Sequence, residues 1–512
     1  MAATEHAEVE RGERDLLQKA AAILVDVVIA RGEASFRSQE DALAQALAGA
    51  GRLATQGLLE RHVEPEPDVV LVDGKRHRKV LVDGSARIGT PFGVISLPRA
   101  LYRREGQRGV KGATTVGLLE KRAGIIDGMT PRLAELTTYY DASVPSRESE
   151  KLMDLAGLRG PRRATLENKA GSIGTELLGN LDAFLAEARA DQPLPTAAAM
   201  ITIGMDRVNV PYEEPNPGGE KSERTRQLRA KKPYQRREPE PVVRAFRGDF
   251  VGSVSIRDEH GELIGGYCYG LSHTEEPRRL ADWLVADVVA AVRQNPSILV
   301  SVCQDGAREL WPTTWEALKR APELGAVKIR ACVDFHHFSP RVRNVVSLLW
   351  DDDAVPEWKR RLLDEEGAVL ALQDAVLQEA ERRLDEMSSE QLEAIHDFQT
   401  YIQERTRIDG REDRRSELFD YAALRAEGLP IGSGPTEATA KSLAGVRMKR
   451  CGNRWSVPGA SATLVCRGLI LSAGRWERVW PQFANSKVAE VIPLPVQLDS
   501  KDVESMSAQQ AA

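Results

Sequence analysis

Between Ala199 and Phe335 the chain presents secondary-structure signals in an order that few folds accommodate. MITIGMDRVNV, from Met200, alternates apolar and polar residues and is rich in β-branched side chains, as a strand with one buried face should be. A polar, Gly/Pro-rich stretch from Glu213 to Glu240 follows. VVRAFRGDFVGSVSI and GELIGGYCYGLSH then read as two paired strands. PRRLADWLVADVVAAVRQN is an amphipathic helix, SILVSVCQDG a short buried strand, WPTTWEALKRA a second helix and AVKIRACVDF a last buried strand. The order is three strands, helix, strand, helix, strand. Such an α/β chain sets its first and fourth strands side by side, which is the arrangement of an RNase H-like core.

The flanks differ in kind. Glu10 to His62 carries helical periodicity, and Asp68 to Arg103 reads as short strands with Asp–Gly turn signals at Asp73 and Asp83. Helical patterns return from Thr114 to Arg189, and again as long charge-rich helices from Pro356 to Arg407. The stretch LPIGSGPTEATAKSLAGVRMKR then restarts the chain. Gly432 and Gly434 break it, Pro435 suits a first helical turn, and Glu437 falls inside that turn. The predicted division is a helical region over 1–65, a β-hairpin region over 66–112 and a helical DNA-binding segment over 113–195. A first core part over 196–350, an all-α insertion over 351–428, a second core part over 429–485 and a mobile tail over 486–512 complete it.

The N-terminus is acidic and polar, without the basic start and apolar run of a signal peptide. The apolar stretch Ala20 to Ala30 contains Asp26 and is well short of the ~20 residues a membrane span needs. A cytoplasmic protein with no membrane partner is expected. The cysteines, Cys268, Cys303, Cys332, Cys451 and Cys466, show no CxxC spacing, which argues against a zinc finger or a disulfide framework. Net charge is −6, the wrong sign for a nucleic-acid binder, but the charge is segregated. Bases crowd the stretches Lys221 to Arg247 and Ala438 to Trp480, while acids gather from Asp351 to Glu427.

Three carboxylates fall at element ends: Asp206 after the first core strand, Asp305 after the fourth, and Glu437 at the start of the helix that follows the insertion. Converging acids repel unless cations lie between them, and oxygen donors favour Mg²⁺, with Mn²⁺ able to substitute. Two such ions ~4 Å apart serve phosphoryl transfer. Each acid also has an ordinary reading. Asp305 precedes a glycine as turn aspartates do, Glu437 suits a helix N-terminus, and Asp206 can be an unremarkable strand-end residue.

Asp206, Asp305 and the stretch Ile431-Gly-Ser-Gly-Pro-Thr-Glu437 resemble those of bacterial insertion-sequence DDE transposases of the Kra-type group, related to Mutator-like elements. The block Met448-Lys-Arg-Cys-Gly-Asn-Arg-Trp-Ser456, then Arg467 and Gly474-Arg-Trp476, is similar to the region after the family's catalytic Glu, and Thr90 to Arg99 to its N-terminal strand pair. The resemblance spans roughly Asp68 to Trp480. It implies an α/β, RNase H-like core interrupted by an all-α insertion. It also implies metal-dependent DNA strand cleavage and strand transfer by Asp206, Asp305 and Glu437, with terminal inverted repeats and target DNA as partners, and a homo-oligomer. Asp334-Phe-His-His337 matches the family's Asp-x-x-His motif. Asp334 and His337 then either serve the site or hold the strand end by hydrogen bonds.

For DNA contact the expected residues are Lys231, Lys232, Arg236 and Arg237 in the stretch after the first core strand, with Lys441, Arg447, Lys449, Arg450 and Arg454 after Glu437. Lys441 can equally be a helical partner of Glu437. Trp455 stacks on an unpaired base or, as tryptophans more often do, packs in the core. A non-catalytic DNA-binding descendant of a transposase, or an RNase H-like nuclease, remains the alternative function.

Overall fold

The structure, a computed structural model, describes residues 15, 18–26, 35–63, 66–107, 114–216, 241–305, 307, 309–406, 415–450 and 452–494. It is a mixed α/β protein with two five-stranded sheets. The chain divides into two compact units, Met1–Leu177 with Glu477–Ala512, and Leu178–Trp476. No described helix is long and apolar enough to cross a membrane.

The first unit holds strands β1 (Val69–Val72), β2 (Lys75–Thr90), β3 (Gly93–Arg104) and β4 (Thr115–Gly117). Asp73 and Gly74 both have positive φ, 49° and 69°, and close a two-residue hairpin between β1 and β2, as the Asp–Gly signal predicts. The second Asp–Gly signal is not a turn. Asp83 and Gly84 lie within β2, where the pairing with β3 shifts between Leu81 and Gly84. A Cβ on Gly84 would stand 2.8 Å from the Arg99 carbonyl oxygen, so a bulge there needs glycine. The expected tail also contributes to the fold: β10 (Val491–Pro493) pairs antiparallel with β1 and edges the sheet, in the order β10-β1-β2-β3-β4. Residues 495–512 lie outside the described residues.

The second unit contains β5 (Met200–Pro215), β6 (Val242–Arg257), β7 (Leu263–Leu271), β8 (Leu299–Gln304) and β9 (Ile329–Val333), ordered β7-β6-β5-β8-β9. β5, β6 and β7 pair antiparallel; β8 and β9 join β5 in parallel. Helix Pro277–Gln294 covers one face, with Leu280 and Leu284 set against Gly252 of β6. The other face takes helix Gly434–Ala440 and helix Val457–Leu471, whose Leu464 packs with Val208, Val210, Tyr212 and Val251. The expected insertion is helical: Ala354–Asp364, Ala368–Arg382, Ser389–Thr406 and Tyr421–Ala426.

Candidate metal centre

The acidic centre is laid out by strand register. Thr202 and Ser301 touch through their hydroxyls, 2.7 Å apart, so they share a face of the sheet. Ser301 pairs with Arg330, and Cys303 with Cys332. Side chains return to one face every second residue. Gly204, Cys303 and Cys332 therefore follow on that face; Asp206 comes two residues later on β5, and Asp305 and Asp334 are the first residues beyond β8 and β9. Asp206, expected after the first core strand, lies within it instead, since β5 runs on to Pro215. It sits where its parallel neighbour stops, and there a side chain loses cover on one flank.

Glu437 reaches the same face by close packing. Thr436 hydrogen-bonds Ser253 of β6 at 2.7 Å, and Gly204 lies beneath it. A Cβ on Gly204 would stand 2.4 Å from both Thr436 Oγ1 and the Cys303 carbonyl oxygen. Only glycine lets the helix settle on β5 and β8 at this height. Asp206 registers the result. Burial pushes its carboxyl above the usual range. The backbone N–H of Arg207, at 2.6 Å, and His337 act to lower it, while Asp305 and Glu437 raise it further. Asp305 is partly exposed and accepts a hydrogen bond from the Ala307 backbone N–H at 2.9 Å, the turn aspartate geometry.

Asp334 and His337 have separate tasks. Asp334 is 1% exposed. Its Oδ1 accepts the N–H groups of His336 and His337 at 2.6 and 3.3 Å, capping helix Phe335–Leu349. Its Oδ2 accepts the backbone N–H of Ser433 at 2.7 Å and the Ser433 hydroxyl. The backbone N–H of Phe335 also donates to the Ile431 carbonyl at 2.9 Å. Asp334 thus ties the strand end to the segment that launches Glu437. The His337 backbone N–H joins this cap, but its imidazole does not hold the strand end. It is exposed, with Nε2 3.3 Å from Glu437 Oε1.

Potential ligand atoms of Asp334, His337 and Glu437 lie within 4.8 Å of one another. Proximity alone does not make these the donor set. Asp334 has both oxygens engaged, by four donors in all, which fills the lone-pair sites of a carboxylate. Asp206, Asp305 and Glu437 keep more accepting capacity, and their mutual repulsion is what a cation would relieve. An all-oxygen set of this kind fits Mg²⁺ or Mn²⁺.

The basic residues scatter. Lys441 pairs with Glu437, Nζ to Oε2 at 3.4 Å, one turn along the helix. Arg447 leaves the DNA-binding set: it is 4% exposed and its guanidinium lies 4.8 Å from the ring centroid of Trp455. Trp455 belongs to the packing. Its backbone bridges Pro211 and Glu213 of β5, its indole N–H donates to the Met448 carbonyl at 3.1 Å, and it lies against the core cluster around Val210 and Leu464. Arg454 pairs with Glu213 at 2.6 Å, and Lys449 and Arg450 are exposed. Arg475, within the Gly474-Arg-Trp476 stretch, is buried and pairs with Asp287 at 2.5 Å, so that stretch is architectural. Lys231, Lys232, Arg236 and Arg237 lie outside the described residues.

No protein family matches the chain, and no curated protein or solved structure is similar to it.

Proposed function

We propose that this protein is a metal-dependent DNA transposase of the DDE type, in which Asp206, Asp305 and Glu437 hold the metal. The observation that carries the reading is that Asp305, just beyond the end of β8, and Glu437, on the helix seated over Gly204, both lie close enough to Asp206 to act on its charge. The order β7-β6-β5-β8-β9, with β5 beside β8, supports an RNase H-like reading of this sheet, and the helical segment between β9 and Glu437 suits an insertion in such a core. Bound Mg²⁺ would supply charge neutralisation and an activated oxygen for phosphoryl transfer. The chain's own residues do the rest. Asp206 and Asp305 fix one side of the centre from the rigid sheet, and Glu437 closes it from the helix. Asp334 fixes Glu437 through Ser433, and Lys441 and His337 each hold one oxygen of the Glu437 carboxylate.

The test separates binding from chemistry. Asp305→Asn keeps side-chain size and removes one ligand charge. On labelled duplexes taken from the DNA that flanks the reading frame on either side, in Mg²⁺, the variant should bind about as well as the unmodified protein. It should lose cleavage and joining by ~10³-fold or more, since the interaction it removes acts on the transition state. An unmodified protein that binds this DNA yet never cuts would make it a DNA-binding protein; one that cuts without joining would make it a nuclease.

A further inference from the structure

Strands β5 and β8 are paired from Met200–Leu299 to Ile203–Val302. The same register carried on would set Met205 against Gln304 and Asp206 against Asp305, but the main-chain pairing stops short of them. A side chain takes over. The backbone N–H of Met205, next to Asp206, donates to Gln304 Oε1 at 3.2 Å. Gln304 is the last residue of β8 and is fully buried. Its carbonyl accepts the backbone N–H of Asp334 at 3.1 Å, and the carbonyl of Asp305 accepts the indole N–H of Trp311 at 3.0 Å. The end of β8 is thus fastened by its main chain to β9 and to helix Leu310–Lys319, and by one amide oxygen to the part of β5 that carries Asp206.

That oxygen has one well-placed donor. The Thr314 hydroxyl stands 3.4 Å away, but its single proton is better directed at the Leu310 carbonyl, at 2.9 Å. Gln304 Nε2, buried as well, has no hydrogen-bond partner among the described residues. An unpaired buried donor is unfavourable, and an apolar side chain of the same length would avoid it. What the amide adds is its oxygen, and with it the tie to Met205, which burial strengthens. Gln304 follows Cys303, so its side chain lies on the sheet face opposite to Gly204 and Cys303. It acts on the acids through the main chain and is not a ligand.

We propose that Gln304 is a positioning residue of the metal centre, its bond to Met205 setting the separation of Asp206 and Asp305 so that the two carboxylates can share one ion. The role rests on the metal centre proposed above. The size of a cation site decides which ion it prefers, so altered spacing shows as altered selectivity rather than as a general loss. Isothermal titration of the full chain with Mn²⁺ and with Ca²⁺ reads it. Gln304→Met keeps the length and loses the oxygen. It should weaken Mn²⁺ binding about tenfold and Ca²⁺ binding by less than about threefold, so that the preference for Mn²⁺ falls. Val288→Ala, which opens a cavity under helix Pro277–Gln294, should lower the melting temperature and leave the preference unchanged. If Gln304→Met does not fold, Gln304→Asn, polar but too short to reach Met205, is read in its place with the same expectation. An unmodified protein that binds Mn²⁺, with an unchanged preference in the Gln304 variant, would overturn the positioning role and leave the metal centre standing. A fall of the same size in Val288→Ala would also overturn the role, since a loosened sheet would then suffice. An unmodified protein that takes up no Mn²⁺ would overturn both.

Discussion

Asp206 is held where its own charge is disfavoured. Burial is the largest cause, and Asp305 and Glu437 add to it. For an acid whose folded-state ionisation is shifted upward, the stability due to protonation is complete below the unfolded value, ~3.9, and is lost as pH rises through the folded value. At neutral pH the metal-free protein therefore carries a penalty that an uncharged side chain would not. Asp206→Asn should raise the melting temperature in EDTA at pH 7, and the gain should shrink as pH falls towards ~4. In excess Mn²⁺ the order should reverse, because the variant loses the stabilisation that bound metal gives. A variant no more stable than the parent in EDTA would show that Asp206 is not under strain from its neighbours. Arg447 and Trp455 show the opposite lesson at this scale. A basic residue in a basic run looks like a phosphate contact, yet Arg447 is 4% exposed, because its guanidinium lies over the ring of Trp455, whose backbone is bonded to β5. Charge is visible in the sequence; the side of the helix that carries it is fixed by tertiary packing.

At the scale of elements, the site depends on how closely one helix approaches two strands. Gly204→Ala places a Cβ where Thr436 Oγ1 and the Cys303 carbonyl oxygen already are. Thr436 can rotate, but the carbonyl belongs to β8 and cannot move alone. The substitution should cost ~1–3 kcal/mol, as overpacking does. It should also weaken Mn²⁺ binding more than a control of equal destabilisation elsewhere, since the helix carrying Glu437 lifts away. Calorimetry with thermal melts on the same preparations decides it; equal metal affinity would mean that Glu437 tolerates the shift. The order of strands and helices from β5 to β9 was legible because alternation and amphipathicity are local signals. The hairpin at Asp73 was legible for the same reason, whereas Asp83-Gly84 became a bulge because a pairing partner, β3, ran past it. The β10 edge strand was missed: three residues near a polar tail carry little pattern, and only β1 gives them a reason to be extended.

Across the whole molecule, the two units have different sheets, one wholly antiparallel and one mixed. The chemistry proposed lies in the second, where the parallel strands β8 and β9 end beside β5. The net charge of −6 then has a plain meaning: much of the acid is solvated helix surface in the insertion, and part of it is the site itself. The central claim is the identity of the metal ligands. Two sets compete, Asp206–Asp305–Glu437 and the tighter cluster Asp334–His337–Glu437. Isothermal titration of the protein with Mn²⁺ separates them through two substitutions on the surface of the centre, Asp305→Asn and His337→Ala. The account predicts that Asp305→Asn weakens Mn²⁺ binding by ~100-fold or abolishes it, while His337→Ala, which leaves all three ligands in place, changes it by less than ~10-fold. Undiminished Mn²⁺ binding in Asp305→Asn together with its loss in His337→Ala would contradict the account.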